Sequence, residues 1–180
     1  LEITRAYLNA KGETVDKAAL GEEITVQLRV RAIDRDWIDN LAIQDLLPAG
    51  FEAVLQNPVA KTEDGQENPD NPTDDNAEST EESDNPPPVY NGSVWWKDRL
   101  LTGGNWKPQY ADVREDRVVL FGSITKNLSE YQYKIKAISA GVFNVPPIYA
   151  SAMYEPTLRA QASAGKISVD DVETKAVVAK

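Results

Sequence analysis

The sequence predicts an all-β fold, an antiparallel β-sandwich carrying one long acidic loop insertion. Three observations lead there. Apolar and polar residues alternate one by one along several stretches, the two-residue period of strands that bury one face. Turn-forming clusters punctuate the chain, and about nine short strands at such spacing argue for two packed sheets. Helical periodicity is scarce: only Ser93 to Leu101 and Pro156 to Ala164 leave room for a turn or two of helix.

In chain order, Leu1 to Asn9 is the first strand. Leu20-Gly21-Glu22 turns into the clearest one, where Ile24, Val26, Leu28 and Val30 alternate with Glu23, Thr25, Gln27, Arg29 and Arg31. Leu41 to Leu47 is a further strand, stopped by Pro48-Ala49-Gly50, and Phe51 to Leu55 resumes as a short one. Later, Gln109 to Arg114 and Arg117 to Phe121 are short β runs joined by a hairpin turn at Glu115-Asp116. Tyr131, Tyr133, Ile135 and Ala137 then alternate with Gln132, Lys134 and Lys136. Gly141 supplies a turn conformation that other residues resist. Val142 to Val145 and Ile148 to Tyr154 flank Pro146-Pro147, whose rings stiffen the crossing, and Lys166 to Val169 is the last strand. No repeat at a fixed period is visible.

Between these halves the composition changes abruptly. Residues 61–88 hold ten acids against one base, Lys61, a net −9 out of the chain's −10. Their one apolar residue besides proline is Ala77, and five prolines interrupt any regular structure. Such a segment buries too little surface to offset its ordering entropy and is expected to be disordered. Strand patterning continues on both sides, so residues 1–180 read as one domain with 61–88 inserted in it.

Composition excludes much chemistry. The chain has no Cys and no His, which removes thiol nucleophiles, disulfides, the usual zinc sites and His-based acid–base catalysis. Outside the insertion the charge is nearly balanced, with no basic stripe for nucleic acid. No run approaches the roughly 18 apolar residues of a membrane span. The chain opens on Leu1 without an initiator Met or leader and reads as a fragment of something longer.

Several short motifs occur of the kind that chance alone produces. Ser123-Ile124-Thr125-Lys126 matches S-x-x-K and Ser83-Asp84-Asn85 matches S-D-N, both strings of penicillin-interacting enzymes. Their order here is reversed and no K-T-G follows, so chance is the better reading. Asp74, Asn76 and Glu78 alternate as calcium ligands do, but no Gly turns the chain between them. Trp95-Trp96 and Trp106 could form a sugar-stacking platform; covering the end of a sandwich core is the simpler role. No cofactor, metal site or catalytic residue is therefore expected, and the domain is not expected to be an enzyme.

A family resemblance emerges in the second half. Asp112-Val113-Arg114-Glu115-Asp116-Arg117-Val118-Val119-Leu120-Phe121 resembles a signature near the end of bacterial α2-macroglobulins. It is followed in order by Tyr131-Gln132-Tyr133, Ala137-Ile138-Ser139-Ala140-Gly141-Val142-Phe143, Val145-Pro146-Pro147, Ala152-Met153-Tyr154-Glu155-Pro156 and Gly165-Lys166-Ile167. In the first half, Asp45-Leu46-Leu47-Pro48-Ala49-Gly50-Phe51 also fits, although Ig-like repeats of bacterial surface proteins carry a similar string. A stalk or adhesion repeat is thus the alternative.

The resemblance implies a C-terminal, receptor-binding-domain-like sandwich of a periplasmic parent protein, anchored to the membrane elsewhere. It implies that members with a thioester trap attacking proteases, and that this domain shields the thioester with an apolar plug. By that match Met153, beside Tyr154, is the candidate plug; an unbranched Met fills irregular gaps readily. In members without a thioester the same residues would be interface packing. Other domains of the parent, target proteases through the parent and envelope proteins are the partners implied, with no nucleic acid or membrane contact. Asp112, Arg114, Asp116 and Arg117 alternate in charge around a turn and are expected to pair across two strands and fix the hairpin.

Deleting residues 62–87 should leave the melting temperature nearly unchanged. A large drop in a thermal melt would show instead that the insertion supports the fold.

Overall fold

The computed structural model describes residues 1–55 and 100–171. The acidic insertion, the S-D-N and calcium-like strings, Trp95-Trp96 and nearly all of the Ser93–Leu101 stretch lie outside the described residues.

Among the described residues thirteen strands follow one another: β1 (Glu2–Leu8), β2 (Lys17–Ala19), β3 (Glu23–Arg31), β4 (Trp37–Leu46), β5 (Phe51–Ala53), β6 (Leu101–Gly103) and β7 (Tyr110–Val113), then β8 (Arg117–Thr125), β9 (Ser129–Ala137), β10 (Gly141–Val145), β11 (Tyr149–Ala152), β12 (Glu155–Gln161) and β13 (Gly165–Asp170). One sheet runs β1-β3-β9-β5, with β6 also on β9; a second runs β12-β11-β4-β8-β7; a small third runs β10-β13-β2. All pairings are antiparallel except β13 with β2. The all-β sandwich expected from the alternation is what the chain forms.

Period-two patterning dictates the core. Ile24, Val26, Leu28 and Val30 of β3 and Tyr131, Tyr133, Ile135 and Ala137 of β9 are buried on one side. Leu41 and Ile43 of β4, Val118, Leu120 and Ile124 of β8, and Ala150 and Ala152 of β11 are buried on the other, within one cluster. Ile38 and Leu41 are both buried although three residues apart, which a regular strand cannot achieve. A bulge between them supplies the extra residue, and Asn40 takes a left-handed φ of 51° there, a conformation Asn tolerates better than most.

Several expectations need correction. Pro156 to Ala164 holds no helix; most of it is β12, where Leu158 and Ala160 are half-buried while Thr157, Arg159 and Gln161 are exposed. Pro156 fits because β12 is an edge strand, and its missing N–H leaves a neighbouring ladder intact. The strand expected through Tyr154 stops at Ala152, and Met153-Tyr154 form a two-residue turn into β12. Three-residue β2 went unread because its pairing with β13 is long-range.

β5 and β6 lie one after the other along the same edge of β9. Ala53 faces Ile135, Val54 N donates to Lys134 O at 2.9 Å, and Leu101 faces Tyr133. The chain thus leaves and re-enters the sheet only about 7 Å apart.

Trp106 takes the covering role expected for the loop tryptophans. It is buried, its Nε1 donates to Ser123 O at 2.9 Å, and its ring meets Tyr131 edge-on at 6.2 Å.

Gly104 has φ +100°, and a Cβ there would lie 2.2 Å from the Glu130 carbonyl oxygen. Gly104→Ala should therefore destabilise by roughly 2–4 kcal/mol. Gly12→Ala, at a similar φ but in open space, should cost about 1 kcal/mol. Chemical denaturation of both variants checks this; equal losses would mean that conformation and not crowding dominates.

Candidate functional site

Two features stand out from the scaffold, one buried and one exposed. In β4, Leu41, Ile43 and Asp45 share the inward parity, so an acid stands where the pattern demands an apolar residue. Asp45 is 1% exposed. The inward side of β1 brings Arg5 to it, and the two form an ion pair with side chains 4% and 2% exposed. Arg5 also donates to the carbonyl oxygens of Leu46, at 3.5 Å, and of Pro146. Tyr133 of β9 donates its hydroxyl to the other Asp45 oxygen at 2.7 Å. The guanidinium lies 5.5 Å from the centre of the Tyr7 ring.

The electrostatics follow from this burial. Burial pushes the Asp45 carboxyl up, against the pull of Arg5 and the Tyr133 hydroxyl. Burial works against the Arg5 charge as well, but Asp45 and Tyr7 leave the guanidinium raised. Burial, with Asp45 nearby, pushes the Tyr133 phenol well above its usual range; Tyr7 is raised mainly by burial. The Asp45 oxygens and the Tyr133 hydroxyl are buried and engaged with one another and with Arg5. The cluster acts as a clamp that joins β1, β4, β9 and the β10–β11 crossing.

The exposed feature is the β11–β12 turn. Met153 is 52% exposed and Tyr154 82%. Met153 N donates to the carbonyl of Asn40, the bulge residue, at 2.9 Å. Next to the turn, Arg35 of the β3–β4 loop forks onto Glu155 with bonds of 2.6 and 2.5 Å. The two candidates are thus held at the surface on an anchored turn.

The charged hairpin sits at the opposite end of β4, where Leu46 faces Arg117. Its ion pairs run along the chain, not across the strands. Arg114 meets Asp112 at 3.0 Å and Arg117 meets Asp116 at 2.6 Å. The register explains the difference from expectation, since Asp112 faces Val119 and Val113 faces Val118. The hydrogen bond from Arg117 holds the Asp116 carboxyl below the usual carboxylate range. The hairpin itself closes through Arg114 N to Arg117 O, and Leu47 N to Asp116 O ties it to the β4 end, both at 2.9 Å.

Ser123 and Lys126 do not form a catalytic pair. The Ser123 hydroxyl donates to Asp39 at 2.8 Å, while Lys126 pairs with Asp36 at 2.6 Å. Among the described residues no group of three or more His, Cys, Asp or Glu side chains is placed to hold a metal ion.

Residues 1–157 match the family model of the bacterial α2-macroglobulin MG10 domain. An α2-macroglobulin homolog of Yersinia pestis is 38% identical over 161 residues, covering 89% of this chain and 7% of that protein. The α2-macroglobulin of Rickettsia conorii is 34% identical over 170 residues, covering 94% of this chain and 7% of its own length. In folds, Escherichia coli α2-macroglobulin activated by porcine elastase aligns with 93% of this chain and 13% of its own, at TM-score 0.63 and 24% identity. A native E. coli fragment running from domain MG7 to the C-terminus aligns with 93% of this chain and 23% of its own, at TM-score 0.61 and 23% identity. The chain spans about one fourteenth of the length of the curated relatives it matches.

Asp45→Leu alone would strand the Arg5 charge in the core and should cost about 3–5 kcal/mol. Arg5→Met together with Asp45→Leu should recover much of that loss, because neither charge is then left unpaired. Urea denaturation of the two variants is the check; a double variant no more stable than the single one would contradict the clamp.

Proposed function

This chain belongs to the bacterial α2-macroglobulin family, as its MG10 domain, and we propose that it acts as a packing and shielding domain of a much longer protease-inhibiting protein. One observation carries the reading. The Met153–Tyr154 turn presents two large, water-exposed side chains on a backbone fixed by Asn40 and by the Arg35–Glu155 fork. Monomeric surfaces tolerate scattered apolar residues, but a rigid turn led by an exposed Met and Tyr suits an interface.

Where the parent carries a thioester, Met153 is the plug that keeps water and small amines from it, with Tyr154 packed alongside. Met suits this role physically, because its unbranched chain fills an irregular gap and withdraws without rearranging a ring. Release would follow cleavage of the parent by an attacking protease, as the elastase-activated E. coli relative suggests by analogy. The parent is proposed to work in the periplasm, attached to the envelope outside this domain. Nothing in this reading needs catalysis by the domain; its contribution is contact with other domains of the parent.

Met153→Ala in the full-length parent should speed loss of the thioester to water or methylamine several-fold, followed by thiol release. An unchanged rate would remove the plug role.

A further inference from the structure

The Met153–Tyr154 turn does not stand alone at its end of the sandwich. Ten large apolar residues are exposed among the described residues, and four of them, Ile33, Trp37, Met153 and Tyr154, belong to this one end. Ile33 and Trp37 bracket the β3–β4 loop and are 53% and 54% exposed. Two connections tie that loop to the turn. The Arg35 fork reaches Glu155, and the Asn40 carbonyl, three residues past Trp37, accepts from Met153 N. Trp37 is also fixed on its other side, since its backbone pairs with Thr125 of β8. The loop and the turn are thus one preorganised surface.

Building on the shielding role, we propose that Trp37 is the anchor of the interface that holds Met153 in place, and that its occupant is a neighbouring domain of the same parent chain. Trp is the side chain most enriched at interface hot spots, and holding it on a ladder lowers the ordering entropy of binding. Charge narrows the occupant further. Arg35 is engaged by Glu155 and Lys126 by Asp36, whereas among the described residues Asp34 and Asp39 enter no ion pair. Beside the loop the rim is left acidic, whereas Arg159, which shares a groove with Met153, adds a cation on the turn side; the surface facing the loop is therefore apolar at its centre and basic at its edge. The relatives leave room for such a partner in the same chain, since the matched segment is only 7% of their length.

The test is hydroxyl-radical footprinting of the intact parent, read by mass spectrometry and normalised for side-chain reactivity. Exposed Tyr110 and buried Trp106 are the internal references. Trp37 is expected to label as slowly as Trp106, and Trp37→Ala to raise Met153 labelling about tenfold, the scale of a hot-spot loss. Trp37→Phe should restore most of the protection. Trp37 labelling as fast as Tyr110 in the wild-type parent would overturn the inference without recourse to any variant. If Met153 is then still protected, the shielding role survives and only the anchor falls; Trp37 protected beside an exposed Met153 would keep the anchor and sink the shield. Protection that appears only after a protease is added would make the protease the occupant and overturn the proposal. Labelling of Trp37 that does not rise with salt would remove the basic edge.

Discussion

Everything at the exposed end depends on how a single buried charge is accommodated at the other. Asp45 occupies an inward position of β4, in a core otherwise filled by aliphatic and aromatic side chains. An unpaired carboxylate there would be prohibitively expensive, so the fold must deliver a cation and a donor. Arg5 and Tyr133 meet that demand, from β1 and β9 of the facing sheet. A buried pair of this kind is weak evidence for stability, because desolvating both charges offsets most of their attraction. Its value is in geometry: Arg5 also bonds the Pro146 carbonyl, which fixes where the chain crosses into β11.

From that crossing the consequences run along β11. Its register on β4 pairs Tyr149 with Gln44 and Ala152 with Leu41, so the strand ends beside the Asn40 bulge. The two-residue turn that follows hangs from the bulge carbonyl, and the Arg35 fork closes over its far side. The clamp and the bulge thus set where Met153 and Tyr154 emerge. The opposite end of β4 carries the Asp112–Arg117 hairpin, whose ion pairs are local, beside a shallow groove to which the exposed Leu55 and Ile138 contribute. Both ends expose apolar groups, and at the Met153–Tyr154 end they sit on a turn and a loop that are tied to each other.

Most of the fold could be read in the residues. The alternation in β3 and β9 fixes both strands and their buried faces, and Pro48-Ala49-Gly50 and Gly141 fix turns. The failures have physical causes. β12 looked helical because Pro156 stands second in it and its alternation is weak, as expected of an edge strand with only one neighbour. β2 is three residues long and exists only through parallel pairing with β13. Charge order along the hairpin suggested cross-strand pairs, but only the register shows that Val118 and Val119 stand opposite. The clamp was missed although its signal was present, since Asp45 interrupts the inward series Leu41, Ile43. No local pattern identifies Arg5 as its partner. Met153 was legible through family resemblance alone, and Trp37 and Ile33 not at all, because exposure follows from the tertiary arrangement.

On the proposed function, the Met153–Tyr154 turn is a surface made to be covered by another domain of the parent. The most direct measurement is an experimental structure of the intact, uncleaved parent protein. In it the Met153 and Tyr154 side chains should lie in van der Waals contact with a neighbouring domain and be inaccessible to water. Both side chains lying free in solvent in that structure would contradict the proposed function.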